Sequence, residues 1–212
     1  IGYSDITALT AAIARHAGLV CFHGPVASST FSDYSVAHLR ALLFDAVPQH
    51  RMPLAPENVA AGERNPEFRA RVLRGGAMRG RLAGGNLSVL AALVGTPYAP
   101  VFDQSLLFLE EIGEAPYRID RMLTQLRQCD ALERTGGIML GVFRNCSPRD
   151  GEASLSLAET IDEHIGSIDA PAVYGYSFGH IAHQYTLPLG LMATVDSETS
   201  TLTILEAATA RD

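Results

Sequence analysis

The sequence predicts an α/β protein, and three observations lead there. Residues 105–109, 137–143 and 172–176 are short, almost wholly apolar runs, as expected of strands covered on both faces. Around them, residues 117–129 and 155–166 place apolar side chains at three- and four-residue spacing, the period of a helix with one buried face. Gly, Pro and Asn fall at the joints, so strand and helix alternate along the chain.

Taken in order, residues 4–17 read as a helix capped by Ser4 or Asp5, with Ile6, Leu9, Ala12 and Ile13 on one face. Gly18 ends that helix, and residues 19–22 form a short buried strand broken by His23-Gly24-Pro25. A Ser/Thr-rich loop leads to a helix over 36–44. Residues 47–76 are rich in Pro, Arg and Glu with little periodicity, and read as a linker. A strand is expected over 77–83, turning through Gly84-Gly85-Asn86 into a helix over 87–94. The run 105–109 closes on Glu110, helix 117–129 presents Ile119, Met122, Leu123 and Leu126 to a core, and the strand over 172–176 leads to Gly179-His180. Alternation in 191–195 and 201–205 around 196–200 predicts a closing hairpin. The expected organisation is therefore 1–46 as the remainder of an N-terminal lobe, 47–76 as linker and 77–212 as a C-terminal α/β lobe.

Composition narrows the function. Of 212 residues 47% are hydrophobic and 18% charged, enough for one good core or two small ones. A net charge of -7 disfavours nucleic acid as a partner, because phosphate contacts need clustered Lys and Arg. The arginines at 64, 69, 71, 74, 79 and 81 are interrupted by Glu63, Glu67 and glycines, and read as a solvated stretch. Cys21, Cys129 and Cys146 are odd in number and far apart, so neither a disulfide scaffold nor a metal site is expected. No apolar run approaches the ~20 residues that span a bilayer. The opening residues read as the end of a strand, which leads us to expect a further segment upstream.

In open α/β sheets, ligands meet the carboxyl ends of strands. Two such ends carry groups that could act together: Glu110 with Glu111 and Glu114, and His180 behind Phe178-Gly179. A carboxylate that holds a histidine in one tautomer leaves the other ring nitrogen as a general base. The plainer reading makes Glu110 a surface charge and His180 a loop residue, and spacing alone favours it.

Gly2-Tyr3-Ser4-Asp5-Ile6-Thr7-Ala8-Leu9, His23-Gly24-Pro25, Gly84-Gly85-Asn86-Leu87, the stretch from Leu107 through Glu110-Glu111-Ile112-Gly113-Glu114 to Asp120-Arg121, Gly179-His180 and Thr186-Leu187-Pro188-Leu189-Gly190 occur in that order. This ordered set resembles the murein tetrapeptide LD-carboxypeptidase family of serine peptidases, which includes microcin-C self-immunity peptidases, and the resemblance runs nearly end to end. It implies an N-terminal Rossmann-like lobe bearing a nucleophilic Ser, a linker, and a C-terminal lobe supplying Glu and His, often in a homodimer. Carried over by position, Glu110 is the triad carboxylate, with Glu114 and Glu111 as rivals, and His180 the base, with His183 as rival. The family's Ser follows a glycine-rich turn upstream of Gly2-Tyr3-Ser4-Asp5, so the nucleophile is not expected within this chain. Ser4 reads as a cap, since it lacks the elbow geometry of a nucleophile.

The resemblance implies release of the terminal D-Ala from murein tetrapeptide during peptidoglycan recycling in the cytoplasm, without metal or other cofactor. Cleavage of a peptidyl- or aminoacyl-nucleotide antibiotic, or mere binding of a murein peptide, stays open. Asp5 and His23 either line the cleft or serve turns. Gly84 and Gly85 either approach substrate or permit a turn, and Asn86 either contacts substrate or caps a helix. Arg118 and Arg121 either grip a substrate carboxylate or pair with Glu114 and Asp120. His16, His38, His50 and His164 read as structural, and loops 26–34 and 144–153 are expected to set side-chain preference.

Overall fold

A computed structural model describes residues 1–148 and 153–210. Its elements run α1 (Ile6–Ala17), β1 (Cys21–His23), α2 (Asp33–Leu43), β2 (His50–Pro53), α3 (Pro56–Gly62), a 3-10 turn (Pro66–Phe68), β3 (Arg71–Arg74) and β4 (Met78–Asn86). Then follow α4 (Leu87–Leu93), β5 (Ser105–Ile112), α5 (Pro116–Gln128), β6 (Gly137–Arg144), α6 (Leu157–Gly166), β7 (Ala172–Tyr174), β8 (Leu187–Leu189), β9 (Met192–Asp196) and β10 (Thr201–Ile204).

The apolar runs become the centre of an eight-stranded sheet of order β2-β10-β9-β4-β5-β6-β7-β3. Strands β4 to β7 are parallel, while β9 beside β4 and β3 beside β7 are antiparallel. A separate two-stranded sheet pairs β1 with β8. Alternation along β5 divides the core. Leu106 and Phe108 join one cluster with Met52, Met139, Phe178, Tyr185 and Leu202. Leu107 and Leu109 join the other, with Leu87, Leu90, Ile119, Leu123, Leu126, Ile161 and Ile165 from α4, α5 and α6. Each such fully buried side chain contributes roughly 1.5–3 kcal/mol. Three of the four apolar residues expected on the core face of α5 are fully buried, and Met122 packs at its edge.

Three expectations are corrected. Residues 47–76 are not irregular: β2 and β3 form the two edges of the large sheet, with α3 between them. Each edge strand has only four residues, too few for a periodic signal. The β3 edge is polar besides, with Arg71 bonded to Asp162 and Arg74 to Asp169. Second, α1 does not seat on Ile6, Leu9, Ala12 and Ile13. It buries Thr7, Thr10 and Ala11 instead, leaving Leu9 58% and Ile13 42% exposed. Small residues win because α1 lies close against β4, where a Cβ on Gly85 would come within 2.5 Å of Thr7 Oγ1. Third, neither Ser4 nor Asp5 caps α1 through its side chain; Asp5 already has helical dihedrals and Ser4 lies at φ 58°.

The remaining elements depart by smaller amounts. Helix α2 begins at Asp33, where the Ser35 amide donates to Ser32 Oγ at 3.2 Å. Strand β7 stops at Tyr174 because Gly175 turns at φ 81°. The closing hairpin forms as β9 and β10. Of the expected specificity loops, part of 144–153, residues 149–152, lies outside the described residues. No helix among the described residues is long and apolar enough to cross a membrane.

Candidate active site

Strand β5 carries two adjacent carboxylates near its end, and strand alternation sends them to opposite faces. Up to Leu109 the register with β6 is regular; between Leu109 and Glu111 it shifts. The extra residue lies on β6, where Gly141 and Val142 stand against Glu110 alone, so β5 keeps its alternation. Both Glu110 and Glu111 are buried. Glu111 turns toward α4: Oε1 accepts from Asn86 Nδ2 at 3.0 Å and from the Ile112 amide at 2.8 Å, and Oε2 from the Ser88 amide at 2.8 Å. Burial raises its pKa, and those three donors oppose the rise. It is a fastening between β4, β5 and α4.

Glu110 faces the other way. Its Oε2 lies 2.8 Å from His180 Nδ1. His180 reaches it because the chain after β7 keeps following β6: the Tyr176 amide donates to Leu140 O at 3.2 Å, and the Val142 amide to Phe178 O at 3.0 Å. Gly179 then adopts φ 113°. Any Cβ there would stand 3.1 Å from Glu110 Oε2 and 3.0 Å from Val142 O. Only glycine lets the loop pass so close to the carboxylate.

A carboxylate beside Nδ1 requires that nitrogen to carry the proton, which leaves the Nε2 lone pair outward. Among the described residues Nε2 has no hydrogen-bond partner, and the side chain is 15% exposed. The Tyr3 ring lies edge-on to the imidazole with centroids 4.9 Å apart. The pair is thus an oriented base whose reactive nitrogen is open to a proton donor, and this is what the arrangement can do chemically.

The other sequence candidates fall in different places. His23 is buried beside the pair, its ring 5.3 Å from Phe108 and 6.4 Å from Phe178. Burial lowers its pKa to about 4, so it is neutral at pH 7. Gly84 and Gly85 meet the protein itself. A Cβ on Gly84 would overlap Phe108 O at 1.8 Å, and one on Gly85 would strike Thr7. Asn86 is buried and caps α4, its Oδ1 accepting from the Val89 amide at 3.2 Å. Asp5 is exposed at the start of α1.

The rivals lie elsewhere. Glu114 pairs with Arg118 at 3.3 Å, and Arg121 stacks over Tyr117. His183 stands 3.8 Å from Glu57. His16 contacts Pro97 O, His164 contacts Asp120, and His38 bonds His50 at 2.9 Å. Among the described residues no group of three His, Cys, Asp or Glu side chains is arranged to hold a metal ion. Sequence reasoning missed Tyr3 and Gly179 as parts of the site, although both stand inside the quoted motifs.

The chain as a whole is similar to known proteins. The family model for the LD-carboxypeptidase C-terminal domain matches residues 79–195. A Bacillus subtilis protein named probable murein peptide carboxypeptidase is 37% identical over 203 residues, covering 96% of this chain and 61% of that protein. The murein tetrapeptide carboxypeptidase of Pseudomonas aeruginosa is 35% identical, covering 92% of this chain and 62% of that protein. The chain thus spans about three-fifths of the length of these relatives. Among solved structures, the muramoyltetrapeptide carboxypeptidase of Oxalobacter formigenes superposes with a TM-score of 0.81 at 28% identity, over 98% of this chain and 68% of that one.

Proposed function

The chain belongs to the LD-carboxypeptidase family, and from that premise we propose that it carries the base half of a serine carboxypeptidase that releases the terminal D-Ala of murein tetrapeptide. The observation that carries this reading is the 2.8 Å contact between buried Glu110 and His180 Nδ1 at the carboxyl ends of parallel strands. The nucleophile is a serine hydroxyl brought to His180 Nε2 from outside residues 1–212.

The proposed steps follow from that geometry. His180 Nε2 takes the serine proton as the serine oxygen bonds to the carbonyl carbon of the L-centre preceding D-Ala. Glu110 stays ionised and stabilises the imidazolium. The C–N bond then breaks as His180 passes that proton to the leaving amine. Water, deprotonated by the same nitrogen, next splits the acyl-serine ester, and His180 returns that proton to the departing serine oxygen, which frees both enzyme and tripeptide. We place the reaction in cytoplasmic peptidoglycan recycling, carried out by a homodimer.

A peptide-nucleotide substrate is the second reading. The microcin C7 self-immunity protein of Escherichia coli is 25% identical over 97% of this chain. The higher identity to the Pseudomonas aeruginosa protein favours murein peptide. The test is mass-spectrometric detection of D-Ala from tetrapeptide, using the full product of the natural gene, its His180→Ala and Glu110→Gln variants, and residues 1–212 alone. Release should fall at least ~10³-fold in His180→Ala and be absent from 1–212. An unchanged rate in His180→Ala refutes the assignment. Binding of tetrapeptide without any release by the full product supports a purely binding role, and preferential cleavage of an aminoacyl sulfamoyl nucleoside supports the second reading.

A further inference from the structure

Two buried polar atoms beside the Glu110–His180 pair have no hydrogen-bond partner among the described residues: Glu110 Oε1 and His23 Nε2. Buried groups of this kind are paired in folded proteins, with protein or with an ordered water. They are also neighbours. The Glu110 charge pulls the His23 pKa up and that of His180 pushes it down, although burial outweighs both. The ring of His23 is fixed from β1, where His23 pairs with Leu187 of β8, and is walled by Phe108 and Phe178. At 2% exposure it has almost no surface to offer a substrate.

We propose that His23 is a positioning residue for the pair: its Nε2–H donates to Glu110 Oε1 through one buried water, so that both carboxylate oxygens are held and Oε2 is aimed at His180 Nδ1. This deepens, and rests on, the role proposed above for Glu110 and His180. A neutral histidine suits the task. It supplies a donor dipole without a second positive charge, which would oppose the imidazolium that His180 must form. A lysine or arginine in its place would hold the carboxylate too but depress the basicity of His180.

The groups facing His180 are Glu110 from β5, Tyr3 from the segment before α1, and His23 from β1; Glu111 acts on it through Glu110. Removing the His23 donor leaves a buried carboxylate with one anchor fewer and a greater proton affinity. The pH at which the Glu110–His180 pair takes up a proton should therefore rise. The loss of one hydrogen bond to a charged group corresponds to an upward shift of about one pH unit.

The test is a ¹⁵N and ¹H NMR titration of the histidine rings in residues 1–212, comparing the parent with His23→Phe and His23→Gln. Expected are a His23 ring protonated at Nε2 at pH 7, an upward shift of the His180 titration in His23→Phe, and a return toward the parent value in His23→Gln, which keeps a donor. A parent His23 protonated only at Nδ1 overturns the proposal without recourse to any variant, so a Phe substitution that fails to fold does not shelter it. Equal His180 titrations in parent and His23→Phe also overturn it, because a purely packing role predicts that result. None of these readings involves peptide cleavage. A failed positioning role and a failed peptidase assignment are therefore told apart: the first appears in the titration, the second in the D-Ala assay.

Discussion

Replacing Gly179 by alanine tests whether the approach of the 175–180 loop to β5 builds the site. The residue sits at φ 113°, where an L side chain costs about 1–3 kcal/mol. Its new methyl would stand 3.0 Å from Val142 O and 3.1 Å from both Cβ and Oε2 of Glu110. Val142 O belongs to a central strand and cannot retreat, so the carboxylate must move by a few tenths of an ångström. That lengthens the 2.8 Å contact to His180 Nδ1. A hydrogen bond to a charged group contributes about 1.5–3 kcal/mol, and losing about half of it brings the total cost to about 2–4 kcal/mol. Gly18→Ala is the control: Gly18 also has positive φ, at 64°, but nothing lies within 4 Å of its added Cβ, so about 1 kcal/mol is expected. The chain has no Trp, so urea unfolding is best followed by far-UV circular dichroism. If Gly179→Ala costs no more than Gly18→Ala, the contact between loop and carboxylate is not what holds this segment.

Acid should weaken the fold through its buried histidines. His23 and His38 have folded pKa values lowered by burial to about 4 from an ordinary 6.5. Between those limits the unfolded chain binds more protons, so stability falls as pH drops from 6.5 toward 4 and levels off below, by up to about 1.4 kcal/mol per pH unit for each group. Urea midpoints measured across that range should show the decline, and His23→Gln should remove one histidine's share. Glu67 ties the 3-10 turn to the end of β6, through Arg144 at 2.6 Å and the Asn145 amide at 2.9 Å. Glu67→Ala should cost about 1–2 kcal/mol, the site being partly exposed, and an unchanged unfolding midpoint would count against the tie. Ser4 at φ 58° makes no side-chain cap, so Ser4→Gly should raise stability by about 0.5–1 kcal/mol. A loss in that variant would restore a role for its hydroxyl.

Much of this protein was legible in its residues, and the reason is physical. Burial on both faces demands unbroken apolar runs, so β5, β6 and β7 announced themselves, and the amphipathic period of α5 named its buried residues. The ordered motifs identified the family, and Glu110 and His180 were singled out from strand ends together with those motifs. What failed had weak local signals. Edge strands β2 and β3 need few apolar residues, and their partners lie far off in sequence. Helix α1 reversed its expected face because a glycine on β4, 78 positions beyond Thr7 in the sequence, lets that helix approach on its small residues. The two adjacent carboxylates could not be ranked from spacing alone. Strand alternation turns Glu110 toward His180, on the face of Leu106 and Phe108, and Glu111 toward α4, on the face of Leu107 and Leu109. Local chemistry and the alternation of a strand are written in the chain, but which face meets His180 is decided only when the distant loop after β7 packs against β5.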